Sequence, residues 1–316
     1  MNEKKTTLKE LMEEGQVFAP CIYDALSAHA VYLAGYKAML LSGGALAYSM
    51  CGVPDLGLLS PDELVWATTR ITDTSPLPLI VDSDDGYGES PLTTYRLVQR
   101  LAKAGAMALS IDDSTGIRGW ERWVVNKEIP FEHRVVSREI WLSKIKAALD
   151  ACAGTDCMLI ARTEAYGQYG SIDESIERTL LARELGAPIT LLCGGMKTLE
   201  DAKKVAAADP GWKMWPDVGV TDGRPDVELV DIGKLGFNLV TMHYTEKGAL
   251  FGMLDYGKRT IKDRNTVYID QHDFDGTLPS KEHHDLLGYW KKWIPMEDEF
   301  NDLHEVNAKS YDIKYD

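Results

Sequence analysis

Short apolar runs alternate with stretches of helical periodicity along most of the chain. The runs fall at 17–20, 38–42, 77–82, 106–112, 158–162, 189–193, 213–215 and 238–241. Each has the length of a strand and shows little polar alternation, the pattern of strands buried on both faces. Between them the spacing predicts helices near 24–35, 60–73, 91–104, 137–152, 172–186, 197–208, 226–235 and 244–262. The boundaries carry local signals. Ser60-Pro61-Asp62-Glu63 offers an N-cap, a proline at the first helical position and first-turn acids. Ser90-Pro91 repeats the cap and proline, and Gly35, Gly105 and Gly186 stand where helices should stop. Eight strand–helix units predict an α/β fold, a parallel (β/α)8 TIM barrel. Periodicity alone also permits a doubly wound open sheet, but no Gly-x-Gly-x-x-Gly follows the first strand.

Two segments lie outside this rhythm. Residues 113–136 form a long polar stretch after the fourth strand, with Arg118, Trp120, Arg122 and Trp123, and are expected to act as a lid. The tryptophans fit packing of the loop as well as exclusion of water from a closed site. Residues 280–316 resume a helical pattern through Leu286, Leu287, Trp290, Trp293 and Phe300. The expected division is a barrel over 1–262 and a helical extension over 263–316, with a partner subunit as the expected cover for its apolar face.

Composition narrows the class. In 316 residues, 49 acidic side chains outnumber 34 basic ones, a net charge of -15 that argues against a nucleic-acid or acidic-membrane surface. The charged N-terminus lacks a signal-peptide core, and no apolar run approaches the ~20 residues of a membrane span. The cysteines at 21, 51, 152, 157 and 193 are odd in number and scattered, which predicts reduced thiols and a cytoplasmic protein.

Candidate chemistry collects where the strands end. Asp82-Ser83-Asp84-Asp85-Gly86-Tyr87-Gly88 follows the third strand; three carboxylates in four residues need a cation or donors, or else form a solvated acidic turn. Ser42-Gly43-Gly44 ends the second strand, Asp112-Asp113 the fourth, Arg162 followed by Glu164 the fifth, and Cys193 the sixth. Trp215-Pro216-Asp217 ends the seventh, and the eighth leads to His243. In a parallel barrel these ends share one mouth. Acids facing an arginine there suit Mg2+ or Mn2+ shared with an anionic substrate, and no His/Cys cluster suggests zinc. The plainer readings stand beside these: a simple turn at 42–44, a structural ion-pair network around Arg162, a core histidine at 243 and a packed small side chain at Cys193.

Taken in order, Tyr23-Asp24-Ala25-Leu26-Ser27-Ala28, Leu41-Ser42-Gly43-Gly44, Pro54-Asp55-Leu56-Gly57, the Asp82–Gly88 motif, Ile111-Asp112-Asp113 and Ile160-Ala161-Arg162-Thr163-Glu164-Ala165 resemble the isocitrate lyase and phosphoenolpyruvate mutase superfamily. The likeness runs over about residues 8–262. It implies a (β/α)8 barrel whose last helix swaps between paired subunits, usually in a homotetramer. It also implies Mg2+-dependent chemistry on small 2-keto or 2-hydroxy acids. By position, Asp82 would be the nearest metal ligand, with Asp55, Asp84 and Asp112 holding the ion largely through water. Ser42, Gly43 and Gly44 would bind the substrate carboxylate opposite Arg162, and Trp215 and Trp120 would help to read its side group. Asp55, Arg162 and His243 are the candidate catalytic set.

The departures are informative. Residues 113–125 lack the Lys-Lys/Arg-Cys-Gly-His stretch of isocitrate-type lyases and the Lys-Thr-Asn-Ser of the phosphonate enzymes, and Asp112 replaces the usual glutamate. His243 resembles the oxaloacetate decarboxylase branch. These points place decarboxylation of an oxaloacetate-like acid first. Retro-aldol cleavage of a 2-alkylmalate or methylisocitrate-type acid follows, then C–P bond mutation or hydrolysis, with a catalytically silent ligand-binding homologue as the non-enzymatic alternative.

Overall fold

The computed structural model describes residues 6–115, 134–196, 198–217, 220–221, 224–268 and 285–301. Two compact units divide the chain, Met1–Ala249 and Leu250–Asp316.

In the first unit, eight parallel strands among the described residues close into a barrel. They are β1 (Val17–Ile22), β2 (Met39–Leu41), β3 (Leu79–Asp82), β4 (Ala108–Ile111), β5 (Met158–Thr163), β6 (Ile189–Leu192), β7 (Trp212–Trp215) and β8 (Phe237–Met242). Each pairs with its sequence neighbours, and β8 closes on β1 from Val17↔Leu239 to Pro20↔Met242. A short antiparallel pair, Val220–Thr221 with Arg224–Pro225, precedes β8. The helices of more than five residues that begin in this unit, among the described residues, are α1 (Leu8–Glu14), α2 (Ala25–Leu33), α3 (Pro61–Thr74), α4 (Pro91–Lys103), α5 (Arg138–Cys152), α6 (Ile172–Glu184), α7 (Leu199–Ala208), α8 (Leu229–Lys234) and α9 (Thr245–Asp263). The predicted caps are present. Ser60 accepts from the Glu63 amide while Glu63 takes the Ser60 amide at 2.7 Å, a closed capping box on α3. After α4, Gly105 turns at φ 97°, where a β-carbon would also press on Thr72.

Strand parity sorts the core into two layers. Val17, Ala19, Cys21, Leu40, Ile80, Ala108, Ile160, Ile189, Leu191, Met214 and Leu239 fill the barrel. The alternate residues pack outward against the helices in two further clusters. Leu8 and Met12 of α1 belong to the inner cluster and are fully buried, so α1 stoppers the barrel at the N-terminal ends of the strands.

That lower rim carries a latch. Arg183 of α6 grips Asp209 through Nε (3.2 Å) and Nη2 (2.8 Å) and donates to the carbonyls of Ala187 (2.7 Å) and Trp212 (2.9 Å). Asp209 also takes the Thr190 hydroxyl and the Gly211 amide. Burial works to raise the Asp209 pKa, but these donors outweigh it and hold the carboxyl below its usual range. A depressed folded pKa gives stability that is present above the unfolded carboxyl range near pH ~4 and is lost as pH falls. Arg183→Ala should therefore cost about 3–5 kcal/mol in urea unfolding at neutral pH. It should also flatten the acid limb of the stability profile.

The described residues of the second unit include the remainder of α9 and the helix Ile294–Asn301. Its described residues expose Leu250, Phe251, Met253, Leu254, Ile261, Trp290, Trp293 and Phe300. Among the described residues, no helix is long and apolar enough to cross a membrane. The expected lid falls mostly on 116–133, outside the described residues; its two arms meet through a single Ser114↔Val135 bridge.

Candidate active site

The parity that fills the barrel also builds its mouth. One inward step past Leu40 is Ser42, past Ile80 is Asp82, past Ile160 is Arg162 and past Leu191 is Cys193; two steps past Ala108 and Leu239 are Asp112 and His243. The side chains that carry polar chemistry therefore replace the apolar filling at the C-terminal ends of the strands.

Asp82 is the hub. Its Oδ1 accepts from Arg162 Nη1 at 3.1 Å, from the Ser110 hydroxyl at 3.2 Å and from the Asp84 amide at 3.4 Å. Beyond it the chain coils through left-handed conformations at Asp84 (φ 48°) and Tyr87 (φ 58°). The Asp112 amide anchors that coil by donating to the Asp84 carbonyl at 2.8 Å. Asp85 leaves the mouth: its carboxylate meets Lys144 of α5 at 3.3 Å, and its carbonyl accepts from the same ammonium at 2.9 Å. Lys144 thereby compensates one of the three crowded acids from behind.

Gly43 and Gly44 make the cradle. A β-carbon on Gly43 would stand 3.8 Å from both Asp84 carboxylate oxygens and 4.0 Å from Asp82 Oδ2. On Gly44 it would strike Asp55 Oδ2 at 2.9 Å. Asp55, Asp82 and Asp84 thus converge over this glycine pair, which admits them by lacking side chains. Ser42 caps the short helical turn that follows, accepting from the Ala45 amide at 3.3 Å.

Arg162 crosses to the acids from β5. Glu164 Oε1 accepts from its Nε at 2.7 Å and its Nη2 at 2.5 Å, which leaves Nη1 directed to Asp82. The Glu164 and Asp82 carboxylates compensate the charge of this largely buried guanidinium. Cys193 hydrogen-bonds through its backbone to Thr163, beside this pair. Burial, with Glu164 and Asp82 adding to it, pushes its thiol pKa well up, so it stands protonated at neutral pH. Across the mouth, His243 Nδ1 lies 3.0 Å from Asp217 Oδ2, a pair joining the ends of β8 and β7.

Two expected residues sit differently. Trp215 is buried in the outer layer, edge-to-face with Phe237 at 5.1 Å. Met214 takes the inward position of β7, so parity turns Trp215 away from the mouth, and it does not line a substrate site there. Asp112 is buried, and its Oδ1 already accepts from the Ser114 amide (2.9 Å) and hydroxyl (2.7 Å). That closed turn commits one oxygen away from any ion. Trp120 lies outside the described residues.

Glu164, Asp217 and Ser110 complete the mouth, and Asp113 supports it from beneath. Asp113 is fully buried and accepts from the Thr163 hydroxyl (2.6 Å), the Glu164 amide (2.7 Å) and Arg178 Nη1 (3.1 Å). Burial pushes its carboxyl up to about 7 against the pull of those donors.

Among the described residues, no group of three or more His, Cys, Asp or Glu side chains forms a ready metal cage. The donors over Gly43–Gly44 are all carboxylate oxygens, the hard ligands that a small divalent cation prefers. Mg2+ commonly keeps several waters and takes only one or two carboxylates directly, so an open acidic cradle fits it better than a closed cage would. Were such an ion bound here, Asp82, Asp84 and Asp55 are the carboxylates nearest the glycine pair that would hold it.

Fold and mouth together define a (β/α)8 barrel of the kind that carries its chemistry on strand-end acids and one arginine. The phosphoenolpyruvate phosphomutase family profile matches residues 8–255, and the chain belongs to that family. It is 30% identical over 304 residues to the petal death protein of Dianthus caryophyllus, covering 95% of this chain and 90% of that one. It is 30% identical over 234 residues to the oxaloacetate decarboxylase of Rhodopseudomonas palustris, covering 74% and 75%. The crystal structure of a 2,3-dimethylmalate lyase superposes with a TM-score of 0.71 at 25% identity, covering 82% of this chain and 87% of that one. The superfamily performs lyase and mutase chemistry on small di- and tricarboxylic acids, and no one branch is singled out by these matches.

Proposed function

We propose that this protein decarboxylates an oxaloacetate-like 2-keto diacid through a pyruvate-type enolate, with Mg2+ (or Mn2+) held by Asp82, Asp84 and Asp55. The observation that carries this reading is the His243–Asp217 pair at the same mouth as Arg162 and the acidic cradle. Similarity to an oxaloacetate decarboxylase supports it. The bound cation would polarise the keto oxygen and offset the charge that develops there. Arg162, fixed by Glu164, meets the substrate carboxylate, and the Gly43–Gly44 backbone flanks it. Loss of CO2 leaves the bonding electrons on the enolate and requires no acid. One proton must then reach carbon. Asp217 holds one imidazole nitrogen of His243, which orients the ring to deliver that proton from the other. The balance is oxaloacetate plus one proton to pyruvate plus CO2.

A second reading rests on Cys193. Retro-aldol cleavage of a 2-alkylmalate needs a proton donor to the enolate, and a protonated thiol beside Arg162 and Glu164 is a group able to provide one. The assay that separates the two supplies purified protein and Mg2+ with oxaloacetate or a 2-alkylmalate. Pyruvate and CO2 from oxaloacetate, above the metal-only background, are the expected result. Background rates there, with a keto acid and a second carboxylic acid released from the alkylmalate, would replace the first reading by the second. As part of the same proposal, the exposed apolar side chains of the second unit are the surface that another copy of the chain covers in a homo-oligomer.

A further inference from the structure

We propose that Asp113 is a positioning residue for Arg162, acting through Glu164. It does not open into the mouth, being fully buried one residue beyond the strand-end Asp112, and it meets the mouth only through the backbone of Glu164. Its two oxygens divide the work. Oδ1 holds the backbone amide of Glu164 at 2.7 Å, while Oδ2 takes the Thr163 hydroxyl at 2.6 Å and Arg178 Nη1 at 3.1 Å. The end of β5 is thus pinned at two successive residues, and the second of them is the one whose carboxylate grips Arg162.

The back of the clamp is equally fixed. Arg178 of α6 is 2% exposed, and besides Asp113 it donates to the Val136 carbonyl at 2.9 Å and to Glu174 at 2.8 Å. Glu174 in turn meets Arg138 of α5 at 2.5 Å. A buried carboxylate facing a buried guanidinium is costly to desolvate, and an apolar pair would hold α6 to the barrel at least as well. What an apolar pair would not do is accept the Glu164 amide. That amide fixes the backbone from which Glu164 reaches Arg162 Nε and Nη2, and so sets the direction of Nη1 toward Asp82.

This inference rests on reading Arg162 as the group that meets the substrate carboxylate. The test compares wild type, Asp113→Asn, Glu164→Gln and the double variant. Binding of oxalate in the presence of Mg2+ is measured by calorimetry, and KM and kcat on whichever acid the enzyme turns over. The expected result is an oxalate Kd and a KM each raised about tenfold in Asp113→Asn, with kcat changed less than about threefold. The double variant should bind oxalate no more weakly than Glu164→Gln alone, because both changes act through one linkage. Additive losses in the double variant, or an unchanged oxalate Kd in a folded Asp113→Asn protein, would overturn the proposal. If Asp113→Asn fails to fold, Thr163→Val removes one donor without changing charge; a raised oxalate Kd there supports the clamp and an unchanged one overturns it. Wild type that binds oxalate but leaves oxaloacetate intact would sink the decarboxylase reading alone, and the oxalate Kd values still decide the role of Asp113.

Discussion

Asp84→Asn should cut turnover by on the order of 10²–10³-fold and at the same time raise the melting temperature of the metal-free protein. The two effects share one cause. Asp55, Asp82 and Asp84 converge over Gly43–Gly44, where three carboxylates outnumber the one guanidinium that meets Asp82, and without a metal ion the surplus like charges repel in a partly buried pocket. Asparagine suits this position because Asp84 sits at φ 48°, a left-handed conformation that asparagine tolerates well. The substitution therefore removes charge with little backbone strain. Relief of ~1 kcal/mol in a domain of this size corresponds to roughly 2–4 °C. Wild type should gain several degrees on adding Mg2+, since an ion at ~100 times its Kd contributes about 2.7 kcal/mol, and Asp84→Asn should lose most of that gain. Thermal melts with and without Mg2+, beside an activity assay, check both halves. A variant that still melts higher with Mg2+ and retains full turnover would remove the acidic cradle from the mechanism.

Arg162→Lys should lower kcat/KM by about 10²–10³-fold, or ~3–4 kcal/mol, mostly through KM. Arg162 uses three nitrogens at once: Nε and Nη2 on Glu164 and Nη1 on Asp82. That geometry fixes the planar fork in one orientation before substrate arrives. Lysine keeps the charge but supplies a single ammonium on a flexible stem, which cannot bridge both carboxylates and also present a two-point contact. The fold should survive, because the charge remains between Asp82 and Glu164. Steady-state kinetics with a thermal melt as control decide it; a lysine variant with native KM would mean that Arg162 serves the acids and not the substrate.

Much of this mouth was legible in the chain because strand ends and parity are local properties. Asp82 and Arg162 follow apolar runs at the spacing that turns them inward, and the two meet at 3.1 Å. Trp215 follows the inward Met214 by one residue, and one residue reverses the face. What the chain hides are partners far apart in sequence. Asp85 looked like a third mouth acid because Lys144, which takes it away, lies 59 residues on. Asp217 was visible only as a strand end until β7 and β8 lay side by side and brought it to His243. Asp113 looked like a twin of Asp112, yet their environments differ entirely, one closed on Ser114 and the other on Arg178 from a helix 65 residues away.

The stopper formed by Leu8 and Met12 has a kinetic consequence. With side chains filling the barrel and α1 packed beneath them, the way to the site is the mouth at the strand ends. Whatever reaches Arg162 enters past the strand ends, and whatever leaves must go out the same way.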